Sequence, residues 1–301
     1  MASTTIIMAI IITSMAAAIR LASGAALVGG SCSGGAGGCG AGLRCTSCVP
    51  PPGTGPAACA RTTPMDPKAA AHGAALPFNR YSWLTTHNSF AIVGTRSPLG
   101  SAIISPPNQE DSVTSQLRNG VRGLMLDAYD FNGGVWLCHS FGGKCFAFTA
   151  YVPALAVLRE VAAFLAANPS EVVTIFLEDY AAPGSLSNVF NAAGLAKYWF
   201  PAEKMPGKPG AEWPLLKDMI ADNHRLVVFT SRQGKQGTEG LAYLWDYVVE
   251  NQCHRLHSLL LACFVSFTSL KKIYNKICLI LFCFELLINN GLGCRRQPGP
   301  G

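Results

Sequence analysis

The chain is short of charge. Only 13% of its 301 residues are Asp, Glu, Lys or Arg, against 50% apolar. The formal net charge of +6 is unevenly placed: six basic residues and one acidic residue follow Gln252, and the part before it is close to neutral. That balance leaves no electrostatic footprint for nucleic acid. The apolar share, with frequent Gly and Pro, is that of a globular chain rather than a disordered one. No Asn-X-Ser/Thr sequon occurs. Nor does a nucleophilic-serine motif, a phosphate-binding Gly-rich loop or a zinc signature.

Long apolar runs are also missing. The stretch Ile6 to Ala18 stops before Arg20 and is followed by small residues. It is too short to cross a hydrocarbon core of roughly 30 Å. The pattern predicts a secretory signal peptide over residues 1–24, although no Lys or Arg precedes the run. Export implies a secreted, extracellular or cell-surface protein.

Residues 25–66 lack both a core and a histidine. They hold Cys32, Cys39, Cys45, Cys48 and Cys59 among Gly and Pro. Such a segment keeps a shape only through cross-links. The Cys45-Thr46-Ser47-Cys48 spacing also suits zinc, but the missing His and the secretory context favour disulfides. Five is odd, so one cysteine pairs elsewhere or stays free. Cys138 and Cys145 are close enough to pair across a short loop.

From residue 75 to 252 strands and helices alternate. Trp83–Thr86, Gly123–Tyr129, Val135–Cys138, Val172–Leu177 and Arg225–Thr230 read as strands. Helices are expected over Val152–Ala167, around Leu186–Tyr198 and over Leu215–Ala221. The β-branched run Val172–Leu177 marks a strand buried on both faces. Strands alternating with helices imply parallel βα units, and short hairpin-like gaps early with helical crossovers later suggest part of a barrel.

Polar residues gather at the strand ends. His87-Asn88 follow the first strand, Asp127 and Asp130 the second, and His139 the third. Glu178-Asp179 follow the fourth and Ser231-Arg232 the fifth. In a parallel barrel these ends share the face on which active sites are built. Two imidazoles can serve as base and acid in phosphodiester cleavage. Carboxylate and amide oxygens can hold a hard cation. Singly, each residue has a plainer reading. A lone His is more often structural, Asp127 could pair with Arg122, and Glu178-Asp179 could open a solvated loop.

Four motifs in order carry a resemblance: THNSF at 86–90, NGVRGLMLDAYDF at 119–131, WLCHS at 136–140 and VVTIFLEDY at 172–180. They look like the X region of phosphatidylinositol-specific phospholipase C, and the chain is similar to secreted plant phospholipase-C-like phosphodiesterases. The resemblance implies an α/β TIM-type barrel, here incomplete. It implies His87 and His139 as the catalytic pair, with His139 as general acid. It implies a calcium site on Asn88, Asp127 and Glu178, and a phosphoinositide or similar substrate presented at a membrane surface. The family places an acid at the position of Met125, so the metal shell is one carboxylate short; Asp130 is a candidate to compensate. Arg232 is a candidate for holding phosphate.

The pattern breaks after Gln252. Residues 253–290 contain no Gly and no Pro, whereas both are common before. The stretch does not read as the second half of a barrel and suggests translated intron or a wrong gene model. The alternative is a membrane-binding tail, with apolar runs shorter than the ~20 residues a spanning helix needs. Five strands alone leave an eight-stranded barrel open.

Overall fold

A computed structural model describes residues 25–33, 38–47, 57–69, 73–207, 212–250 and 277–279. The expected signal peptide, Cys48 and nearly all of the 253–301 stretch lie outside the described residues.

The N-terminal segment is cross-linked. Cys32 is bonded to Cys45 and Cys39 to Cys59. These bonds staple a hairpin of β1 (Leu43–Ser47) and β2 (Ala57–Arg61), paired antiparallel with Cys45 opposite Cys59. Cys45 is therefore used in a disulfide rather than in a zinc-binding pair with Cys48.

The main sheet is mixed. In chain order it contains β3 (Thr85–Thr86), β4 (Gly123–Phe131), β5 (Gly134–Cys138), β6 (Ala150–Pro153), β7 (Val173–Tyr180), β8 (Leu226–Thr230) and β9 (Ala242–Tyr243). Five of them, β3, β4, β7, β8 and β9, run parallel side by side. The path ends on β6 and β9, so the sheet is open among the described residues. A short parallel pair, β10 (Val248–Glu250) with β11 (Ile277–Leu279), lies beyond it in the chain. No helix among the described residues is long and apolar enough to cross a membrane.

One expectation is corrected by the pairing. Residues 135–138 are not a parallel strand. β4 runs on to Phe131, turns through Asn132 and Gly133 (φ 47° and 77°), and returns as antiparallel β5. Asn-Gly with two positive φ values makes a hairpin turn that matches strand twist. The fifth parallel strand is instead β9, whose two residues are too few to show a period. The first strand shrinks to Thr85–Thr86. The long helix starts at Ala154, because Val152 and Pro153 end β6. The expected 186–198 helix divides into Ser185–Ala192 and a 3-10 turn at Ala196–Tyr198.

Alternation along the strands sorts two cores. Leu124 and Leu126 of β4, Ile175 and Leu177 of β7, and Val228 of β8 pack with Val161, Leu165 and Phe190 from the covering helices. On the other face Met125, Phe176 and Phe229 meet Phe78, Trp213 and Tyr247. The Phe176 and Phe229 rings stack with centroids 5.5 Å apart. Each such side chain contributes about 1.5–3 kcal/mol through burial. The same alternation places Asp127 above Met125 and Glu178 above Phe176.

A buried ionic cluster closes the opposite end. Arg122 is 1% exposed. It donates from Nε to Glu171 (2.7 Å) and from Nη2 to the Met65 carbonyl (2.9 Å). Lys68 Nζ bonds the other Glu171 oxygen at 2.7 Å. The N-terminal segment is thereby tied to the base of β4 and β7. Arg122 is thus not the partner of Asp127. Next to it β3 crosses close over β4. A Cβ on Gly123 would lie 2.1 Å from Thr85 Oγ1, which is why this position takes no side chain.

Candidate active site

The rim is built from two registered carboxylates. β4 and β7 pair Asp127 with Glu178. Asp127 is 8% exposed. Burial, and then the Glu178 charge, push its carboxyl up to about 8. Neither carboxylate has a Lys or Arg partner among the described residues. Glu178 accepts from the Tyr180 hydroxyl, which that bond, then burial, pushes up to about 12. Tyr180 stacks on Tyr129 at 4.5 Å.

β3 delivers His87 and Asn88. Asn88 has φ 44°, a left-handed conformation that Asn tolerates better than most residues. The turn is pinned by Ser89 N–H on the Met125 carbonyl (3.0 Å) and by Gln116 Nε2 on the Ser89 carbonyl (2.8 Å). The Asn88 carboxamide stands 3.1 Å from both Asp127 carboxylate oxygens. Burial, and then His139, hold the His87 imidazole below its usual range; Glu178 acts in the opposite direction. The His87 ring is therefore within electrostatic reach of both His139 and Glu178.

His139 arrives by the hairpin. β5 returns from the tip and sets Leu137 opposite Ala128, which brings His139 back toward the level of Asp127. Its Nδ1 lies 2.7 Å from the Pro106 carbonyl. A carbonyl only accepts, so Nδ1 carries the proton and Nε2 is left for other chemistry. The His139 loop is closed by the Cys138–Cys145 disulfide.

The remaining predicted residues lie apart from this corner. Arg232 is exposed and donates from Nε to the Asp179 carbonyl at 2.8 Å. Asp179 points away from Glu178 and pairs with buried Lys235 at 2.9 Å. Asp130 accepts the Ala182 N–H at 2.7 Å, on the strand face opposite Asp127, so it does not replace the missing carboxylate. Met125 faces the same way as Asp127 but packs into the inner apolar cluster. Sequence reasoning missed Pro106, Asn108 and Gln109. They sit on an irregular loop with no period, and only long-range bonds bring them to His87 and His139.

The profile of the PI-PLC X family (PI-PLC X 1) matches residues 79–288. That match runs into the Gly- and Pro-free stretch. A PI-PLC X domain-containing protein of Arabidopsis thaliana is 52% identical over 215 residues, 71% of this chain and 50% of that protein. An uncharacterized secreted protein of Arthroderma benhamiae is 27% identical over 146 residues, 46% of this chain and 32% of its own length. The chain thus spans half or less of the curated relatives it matches. Among solved structures, the phosphatidylinositol-specific phospholipase C of Listeria monocytogenes aligns at 18% identity with a TM-score of 0.42, covering 63% of this chain and 67% of that one. S. officinalis PLC21 aligns at 19% identity with a TM-score of 0.39, covering 52% of this chain and 18% of that one.

Proposed function

The chain belongs to the PI-PLC X family, and from that premise we propose a phosphoric diester hydrolase acting on a phosphoinositide or similar phosphodiester. One observation carries the reading. Buried Asp127, in register with Glu178 and 3.1 Å from the Asn88 carboxamide, has no Lys or Arg partner among the described residues, and the His87 ring beside Asn88 feels the charges of both Glu178 and His139. Asp127 is buried while Glu178 is exposed, and burying the Asp127 carboxylate beside the Glu178 charge is costly unless a ligand offsets it.

The donor set fits a hard cation. Asn88, Asp127 and Glu178 offer oxygens only, and calcium prefers such ligands. With its Oδ1 toward Asp127, Asn88 stands 3.1 Å from both Asp127 oxygens, and Glu178 is paired in register with Asp127. When bound, calcium would offset phosphate charge and lower the pKa of the attacking hydroxyl. Met125 leaves the shell one carboxylate short of the family pattern. We read the parallel strands as part of an unclosed TIM-type barrel, with the rim at their C-terminal ends.

The residues divide the proton work. The inositol 2-hydroxyl oxygen bonds to phosphorus, and its proton passes to a rim base, His87 or Glu178. The bond from phosphorus to the diacylglycerol oxygen breaks. His139, as imidazolium, gives that oxygen its Nε2 proton. A cyclic phosphate and diacylglycerol result. Arg232, exposed and bonded to the Asp179 carbonyl, stays a candidate for holding phosphate. Exposed Phe141 (66%) and Phe148 (36%) beside His139 suit a membrane surface carrying the substrate. The disulfides suit a secreted protein.

The test is cleavage of phosphatidylinositol vesicles, followed by 31P NMR of the cyclic phosphate, with and without calcium. It uses this chain and a chain completed from the Arabidopsis relative. Calcium-dependent product that His139→Ala abolishes supports the hydrolase. A folded, completed chain that binds vesicles without turnover favours a binding module, the reading to which Met125 lends weight.

A further inference from the structure

Asn108 joins the two halves of the rim. Its Oδ1 is 3.2 Å from Asn88 Nδ2, and its Nδ2 is 3.4 Å from His87 Nδ1. Asn88 in turn stands 3.1 Å from both Asp127 oxygens. The loop that carries Asn108 is anchored. The Asn108 and Gln109 N–H groups bond the Ala91 carbonyl at 2.8 and 3.0 Å, and Gln109 Nε2 bonds the His87 carbonyl at 2.6 Å.

A carboxamide is directional, with an acceptor at one end and a donor at the other. Asp127, Asn88, Asn108 and His87 therefore form a line with two self-consistent directions. In the first, Asn88 donates to Asp127 and Asn108 donates to Asn88. Asn108 then offers its oxygen to His87, and the neutral ring must carry its proton on Nδ1. In the second, Asn88 turns its oxygen toward Asp127, Asn88 donates to Asn108, and Asn108 donates to His87 Nδ1. The ring proton must then sit on Nε2. Mixed directions leave two donors or two acceptors facing each other.

We propose that this line is a relay in which the charge environment of Asp127 sets the tautomer of neutral His87, with Asn108 as the positioning residue that transmits it. The relay rests on the four side chains. Which direction holds in the loaded protein also rests on the proposed cation ligands. A cation beside Asp127 attracts the Asn88 oxygen and selects the second direction. His87 then presents Nε2–H to the phosphorane as a donor, and Glu178 is left to take the hydroxyl proton. Without a cation the carboxylate selects the first direction.

The experiment is 15N NMR of the full chain labelled at histidine nitrogen, at about pH 9 or above, where the ring is neutral and the Asp127 carboxyl is ionised. Metal-free wild type should show Nδ1 protonated. Asn108→Asp, which can only accept, should keep that pattern with or without calcium. Asn108→Ala should show averaged resonances that calcium does not move. Calcium added to wild type should exchange the two nitrogen positions. Metal-free wild type with Nε2 protonated, or Asn108→Ala identical to wild type, overturns the relay. So does calcium that calorimetry shows to bind while the tautomer stays put. If calcium does not bind, the cation reading fails alone and the metal-free variants still decide the relay. None of these readouts depends on turnover, so an inactive protein bears only on the hydrolase.

Discussion

The two ends of β4 and β7 handle charge in opposite ways. At the base, Arg122 and Glu171 enter the strands, and every charge is matched, with Lys68 completing the cluster. Toward the rim, Asp127 and Glu178 face out of the same strands with no cationic partner among the described residues, whereas Asp179, on the other face, is matched by Lys235. Both ends are polar and both include buried carboxylates. The base resembles a finished structure and the rim a receptor for something positive. Matched charge suits a scaffold, and a buried carboxylate with no cationic partner is what the proposed site needs.

The largest effect is expected from the rim. His139→Ala should lower turnover by about 10²–10⁴-fold, because the leaving oxygen then lacks its proton donor. Thermal unfolding should stay close to wild type. A variant that loses stability instead would place His139 among the structural residues. At the base the pattern should invert. Glu171→Ala strands Arg122 and Lys68 in the interior and should cost about 3–5 kcal/mol in denaturant unfolding. A variant of normal stability would remove the contrast between the ends.

Asp127 sharpens the comparison through pH. Its folded pKa of about 8 lies above the ordinary 3.8. The folded protein therefore binds the extra proton between these values. The associated stability is fully present below about pH 4 and is lost as pH rises through about 8. Metal-free Asp127→Asn should remove this fall, a difference of about 1–3 kcal/mol between pH 5 and 7. A wild-type stability that rises over that window would contradict the unmatched-carboxylate picture. The smallest effect is expected from Met125→Glu. Isothermal titration should show tighter calcium binding, since affinity follows ligand charge and number. Unchanged binding would mean that the interior cluster keeps position 125 out of the shell.

Much of this arrangement was legible in the sequence. The run Val172–Leu177 is apolar on both faces and became the centre of β7. His87 and Asn88 follow β3 and His139 follows β5, whereas Asp127 and Glu178, expected at strand ends, lie within β4 and β7. The reversal at Asn132-Gly133 carries its own local signal, since two residues allow only a hairpin. Other features carry none. β9 is set by its pairing with β8 and not by its own composition. Arg122 and Glu171 find each other across 49 residues, and Asn108 reaches His87 across 21. Such pairs arise from the closed path of the chain, which a window of local residues does not contain.

The hairpin that brings back His139 also has a consequence in time. β4 and β5 are joined by two residues and pair at short sequence separation, so they can zip in about 1–10 μs. The parallel contacts of β4 with β7, and of β7 with β8, must wait for their crossovers to close, and such non-local pairing is slow. His139 is thus delivered by the fastest-forming part of the sheet. The Asp127–Glu178 pair is completed only when β7 docks, so the residue proposed as acid is expected in place before the residues proposed to hold a cation.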